Sequence, residues 1–202
     1  MRRFPRYCSA DQRRAMVVES VITLAATQNP SGITTAAIAA HMGVSQGAVF
    51  RHFATKEAIW QAVMEWVAEQ LLDRVVRAAE SADGPMAALE AVFMTHVSFA
   101  VEYPGVPRML FGELQRTEPT PAKGAVEGLL QKYGHLLADL LEQGKREGMI
   151  DQGVETFAAI SMFIGAIQGL IIRSLLGGDM ENALRVAPQT FELYRRAVRR
   201  LP

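Results

Sequence analysis

No stretch of this chain sustains the period-two alternation of a half-buried strand bounded by hairpin turns. Its apolar residues recur instead at three- and four-residue spacing, in blocks separated by Gly and Pro. That pattern predicts an all-α fold of about nine helices.

Local signals place most of the helix ends. Ser9 followed by Gln12 forms a capping box, so a helix should start near Ala10. Val18, Val21, Ile22 and Ala25 make its apolar stripe, and Asn29-Pro30-Ser31-Gly32 ends it. Thr34 or Thr35 caps a short second helix that turns Ile38 and Ala39 inward. Gly43 follows where a helix end needs a left-handed residue, and Ser45 caps a third helix directly after. Thr55 caps a long fourth helix, with Glu57 in its first turn and Trp60, Val63, Met64, Val67, Leu71 and Val75 on its buried face. Asp83-Gly84-Pro85 breaks the chain before a helix that ends at Tyr103-Pro104-Gly105. Further helices are predicted over Val106–Gln115, Ala122–Glu147, Val154–Leu176 and Met180–Arg200.

Half of the 202 residues are apolar and 21% are charged, enough material for a sizeable core. Cys8 is the single cysteine, so no intrachain disulfide or thiolate metal cluster can form, which fits a reducing cytoplasm. Asp11, Gln12, Arg13 and Arg14 follow the basic Arg2, Arg3 and Arg6 where a signal peptide needs an apolar run. Phe157–Ile172 is interrupted by Ser161, Gly165, Gln168 and Gly169 and stops at Arg173. It reads as a packed helix, short of the roughly 18 apolar residues of a membrane span, so no membrane partner is expected.

The net charge of zero hides a split. Residues 1–56 hold seven basic and two acidic side chains, and the remainder hold fourteen basic and nineteen acidic. One end suits a polyanion and the other does not. A chance cluster of surface arginines produces the same tally. Arg2, Arg3 and Arg6 are either an arm that reaches DNA or a basic start with no partner.

Helix, glycine turn, short helix is the geometry with which many proteins place a helix in the major groove. Ile38, Ala39, Met42, Val44 and Val49 can pack the two helices together. Small residues, Ser45, Gly47 and Ala48 with Gln46 among them, lead the second helix and permit close approach to bases. Gln46 suits adenine, Ala48 suits a thymine methyl, and Arg51, His52 and Lys56 supply donors for phosphates or base edges.

The run from Thr34 to Glu57 resembles the DNA-binding signature of the TetR/AcrR family. The matching features are the threonine before the short helix, Ile38-Ala39, the Gly43-Val44-Ser45-x-Gly47 block, Phe50-x-His52-Phe53, and Lys56 opening the next helix. The resemblance implies a homodimeric repressor with a three-helix DNA-binding domain over residues 1–56. A larger helical domain over 57–202 would bind a small effector and dimerise. By the same resemblance Thr34 or Thr35, Phe50, His52 and Lys56 contact phosphates of a double-stranded operator. Family members commonly carry tyrosine where Phe50 stands, and some carry a long base-reading side chain where Ala36 stands. Phe50 has no hydroxyl, so it offers only van der Waals contact or is a packing residue, and base reading moves toward Gln46, Ala48 and Arg51.

For the effector site the candidates are Trp60, Met64, Phe93, His96, Val97 and Phe99, with Tyr103, Phe111, Gln115, Tyr133, Met162 and Phe163. Aromatics, methionine and few polar groups suit an adaptable apolar pocket, though each residue alone reads equally as core. For the dimer interface the candidates are Ala158, Ala159, Met162, Gly165, Ala166, Gly169 and Leu170, completed by Tyr194, unless these helices only close the monomer. The histidines His41, His52, His96 and His135 form no metal or catalytic motif, so neither an enzyme nor a cofactor is expected. A helix-turn-helix protein without a small-molecule effector, controlled by a protein partner or architectural in role, explains the N-terminus equally well.

Overall fold

In the computed structural model, which describes residues 9–200, the first helix starts on its capping box. The Ser9 hydroxyl accepts from the Gln12 amide at 3.2 Å, and the Gln12 side chain accepts from the Ser9 amide at 2.9 Å. Nine α-helices follow among the described residues: α1 (Ala10–Thr27), α2 (Thr35–Met42), α3 (Gln46–Phe50), α4 (Lys56–Glu80), α5 (Pro85–Glu102), α6 (Gly105–Leu114), α7 (Pro121–Arg146), α8 (Thr156–Gly177) and α9 (Glu181–Val198). One 3-10 turn, Pro30–Gly32, joins α1 to α2. An isolated antiparallel bridge between Ile150 and Arg199 is the sole extended pairing among the described residues. Arg2, Arg3, Arg6 and Cys8 lie outside the described residues.

The helices fall into two compact units, each assembled from two stretches of chain. The first takes in the chain up to Glu69 together with Tyr103–Gly128; the second takes in Gln70–Glu102 together with Leu129 onward.

In the first unit α1 buries Val17, Val18, Val21, Ile22 and Ala25, the stripe expected from period 3.6. Ile38 and Met42 of α2, Val49 of α3 and Val63 of α4 are also buried. α6 packs directly on α1. Gly105 makes that approach possible, because a Cβ there would lie 2.3 Å from the Ile22 carbonyl oxygen and 2.9 Å from the Ala26 nitrogen. Only a residue without a side chain fits so close to another backbone.

In the second unit α5 packs against both α8 and α9. Phe93 meets Phe163 edge to face at 5.3 Å and lies 5.5 Å from Phe191, while Phe163 meets Tyr194 edge to face at 5.3 Å. Edge-to-face contacts of this kind bring the positive ring edge to the negative face. Glu155 caps α8 by accepting from the Phe157 and Ala158 amides, and these bonds hold its carboxyl below the usual carboxylate range. Gly178 closes the helix at φ 70°.

α8 corrects one expectation. It runs for 22 residues, and an 18-residue window within it has a mean hydropathy of 1.8, enough by length and composition for a membrane span. The internal glycines do not shorten it, because its backbone hydrogen bonds run through them. Ala159, Phe163, Ile167 and Ile171 bury one face, while Phe157, Met162, Ile172 and Leu176 are exposed on the other.

Candidate nucleic-acid interface

The Thr34 hydroxyl caps α2, accepting from the Ala37 amide at 3.1 Å, a bond of a type that contributes about 1 kcal/mol. Gly43 then turns the chain at φ 67°, ψ 33°, and its amide reaches back to the Ala39 and Ala40 carbonyls. This left-handed step is open to glycine at no steric cost. α3 begins at Gln46, three residues beyond Gly43, and packs on α2. Ser45 differs from expectation, since its side chain makes no capping bond. The Ala48 amide, the usual partner of a capping hydroxyl, donates instead to the Ser45 carbonyl at 2.9 Å. The Thr55 hydroxyl caps α4 as expected, accepting from the Ala58 amide at 3.1 Å.

Val49 is buried, while Ser45, Gln46, Gly47, Phe50 and Arg51 are exposed; Ala48 and His52 are half-buried. Phe50 is 43% exposed, too open for a core residue. A Cβ on Gly47 would meet nothing within 4 Å, so this chain's own packing does not demand a glycine there. The Gln46 amide donates to the Thr35 hydroxyl at 2.7 Å, joining the front of α3 to the start of α2. The Lys56 ammonium donates to the Ser31 carbonyl at 3.2 Å and sits 4.8 Å from the centre of the Trp60 ring.

Two arginines counted from the sequence only as charge belong to this surface. Arg14 of α1 donates to the His52 carbonyl at 2.7 Å, and its guanidinium lies 4.2 Å from the centre of the Phe53 ring. It braces the chain leaving α3. Arg13 lines a surface hollow of about 450 Å³ with Ser45, Ala48, Arg51 and His52. Arg14 continues the Val18, Val21 and Ala25 stripe at helical spacing, and that alignment was a usable signal.

The profile of bacterial regulatory proteins of the tetR family matches residues 21–63. The nucleoid occlusion factor SlmA of Shewanella pealeana is 30% identical over 137 residues, covering 67% of this chain and 70% of that protein. The chain belongs to the TetR family. SlmA of Idiomarina loihiensis is 26% identical over 163 residues, covering 79% of this chain and 83% of its own length. The fatty acid degradation regulator FadR from Bacillus halodurans shares the fold, with a TM-score of 0.81 at 16% identity over 95% of this chain and 97% of that one. This TetR-family member is accordingly a helix-turn-helix DNA-binding transcription regulator, of a family whose members typically form homodimers and respond to ligands. Its relatives are regulators.

The twelve residues expected at the effector site divide between the two units of this TetR-family chain. Trp60, Met64, Tyr103, Phe111 and Gln115 fall in the first unit, and Phe93, His96, Val97, Phe99, Tyr133, Met162 and Phe163 in the second. Trp60 and Gln115 line one cavity, whereas Tyr103 packs edge to face on Trp66 at 5.2 Å. Phe93, Val97 and Phe163 have no exposed surface, and Phe93 and Phe163 pack on each other. His96 lies 3.2 Å from the Tyr133 hydroxyl; burial pushes the imidazole down to about 4 and the phenol upward.

The interface candidates divide by helix face. Ala158, Met162, Gly165 and Gly169 are exposed, and Ala166 and Leu170 are half-buried. Two candidates cannot offer surface to a second chain. Ala159 is 4% and Tyr194 3% exposed, both inside their own unit, where the Tyr194 hydroxyl has no hydrogen-bond partner among the described residues.

Proposed function

We propose that this regulator is a homodimeric cytoplasmic repressor that grips a near-palindromic operator through α2 and α3. The observation that carries the reading is the outer face of α3. Ser45, Gln46, Phe50 and Arg51 are exposed around a glycine that the protein's own packing does not require. Thr34, Thr35, His52 and Lys56 would hold phosphates, and Gln46, Ala48 and Arg51 would read base edges. Arg13 joins the phosphate-contacting set.

The second copy would cover the apolar outer face of α8. Gly165 and Gly169 have nothing within 4 Å of where a Cβ would stand, so that face is open to close helix approach. Dimerisation there would set two recognition helices roughly 34–36 Å apart, the spacing of successive major grooves. A small amphipathic effector that favours another spacing would then release the operator.

A second reading has its own support. The SlmA relatives are named for nucleoid occlusion, and the aromatic candidates of the second unit pack on one another rather than around a space. Both point toward a DNA-binding protein under the control of a protein partner. Footprinting on the intergenic DNA beside its own gene, with and without a compound panel, separates the two. Protection of a near-palindrome that a compound relieves supports the repressor. Protection that no compound relieves supports the partner-controlled form. A folded dimer that prefers no palindrome over random DNA overturns both.

A further inference from the structure

The first unit contains a cavity of about 430 Å³ that shares only Lys56 with the proposed DNA surface. It is bounded by the 3-10 turn after α1, the start of α4, α6 and the start of α7. We propose that this cavity binds an amphipathic organic carboxylate against the Trp60 ring, paired with Arg108 and Lys56, and that occupancy weakens DNA binding. The DNA half of this inference rests on the reading of Lys56 as a phosphate contact.

The charges in the cavity are unequally satisfied. Glu113 is 3% exposed, yet it has partners: the Thr120 hydroxyl donates to it and the Arg116 guanidinium lies 4.0 Å away. Thr120 also caps α7, accepting from the Lys123 amide at 3.1 Å, so this corner is closed by its own chain. The cations are not closed in the same way. Arg108 lines the cavity, is exposed, and makes no hydrogen bond or ion pair among the described residues. The Lys56 ammonium gives one bond, to the Ser31 carbonyl, and an ammonium carries three donors. Glu57, the remaining acid on the lining, is exposed. The unmet need is therefore for an acceptor, and a carboxylate meets a guanidinium with paired hydrogen bonds.

The apolar part of the ligand follows from the wall. Trp60 is half-buried on this lining, and Met109, fully buried, completes the apolar wall. A flat or flexible hydrocarbon body lies against these side chains while its carboxylate reaches the cations. The space suits a small organic acid. An anion beside Lys56 cancels the field that the ammonium offers to a phosphate. α6 also packs on α1, so a ligand seated on α6 bears on the helix that braces α1.

Trp60 reports on its own site. The chain has two tryptophans, and Trp66→Phe leaves Trp60 as the sole indole in the full-length protein. Hydrocinnamate and decanoate are titrated while Trp60 emission is followed, with the neutral amide of each as control. The expected result is saturable change with the carboxylates, little with the amides, and affinity lowered about tenfold or more by Arg108→Gln. In parallel, saturating carboxylate should lower operator affinity of the unmodified protein about fivefold or more. Absence of saturation, equal binding of amides, or indifference to Arg108→Gln overturns the site. Saturation with unchanged operator affinity overturns its coupling to DNA. A protein that prefers no DNA sequence overturns the regulator reading and the coupling together, while the fluorescence titration still decides the site.

Discussion

The Gln46 amide is held by the Thr35 hydroxyl at 2.7 Å, so the residue best suited to adenine is oriented by the helix behind it. One amide proton serves Thr35; the carbonyl and the second proton remain for a base edge. Gln46→Ala should relax preference at a single base pair by about 1–3 kcal/mol. Thr35→Val should reduce the same preference, and a double-mutant cycle by fluorescence anisotropy should show that reduction vanish in the Gln46→Ala background. Additive effects would mean that Thr35 acts independently of Gln46.

Lys56→Ala should weaken binding to operator and random duplex alike. The slope of log affinity against log salt should flatten by about one unit, as for loss of one phosphate contact. An unchanged slope would remove Lys56 from the DNA surface.

Two glycines should respond oppositely to the same substitution. Gly105→Ala forces a Cβ toward the Ile22 carbonyl at 2.3 Å, and overpacking of this kind costs about 1–3 kcal/mol. Gly47→Ala meets nothing within 4 Å and should stabilise α3 by about 0.5–1 kcal/mol through helix propensity. Urea denaturation measures both. The Gly47 variant should nevertheless lose operator affinity, because the added methyl enters the space reserved for DNA.

Gly165→Glu with Gly169→Glu places charge on the open face of α8 without a clash inside the protomer. Helical circular dichroism should be retained while sedimentation shifts from dimer to monomer. A double variant that remains fully dimeric would assign the interface elsewhere.

His96 should make the protein sensitive to acid. Burial lowers the folded-state imidazole from 6.5 to about 4, so between these values the unfolded chain binds the extra proton. Its contribution to stability is complete above about pH 6.5 and is lost as pH falls toward 4, up to about 3 kcal/mol in all. The ring keeps some exposed surface, which moderates the loss. His96→Gln should flatten the stability profile in that window, measured as the urea midpoint against pH.

The helices were legible because their causes are local. Capping by Ser9, Thr34 and Thr55, the left-handed turn at Gly43, and the stripes of α1 and α4 depend on residues within a few positions of each other. The helix-turn-helix was legible for the same reason, since α2, the turn and α3 are contiguous in the chain. Ser45 shows the limit even there, because a backbone carbonyl took the amide that a hydroxyl was expected to serve.

What lies far apart in the chain was not legible. Arg14 meets the His52 carbonyl, and Gly105 meets Ile22, only because separate helices are brought into register. Composition alone marked twelve effector-site candidates. Tertiary packing sorted them, making Phe93 and Phe163 core and leaving Trp60 beside a cavity whose charged lining no local pattern announces. Helix formation and capping are decided by neighbouring residues, so amino-acid order alone was enough for the all-α fold and the DNA-reading segment. Which side chains share a cavity depends on how distant helices pack, and that is settled only when the whole chain buries its apolar faces together.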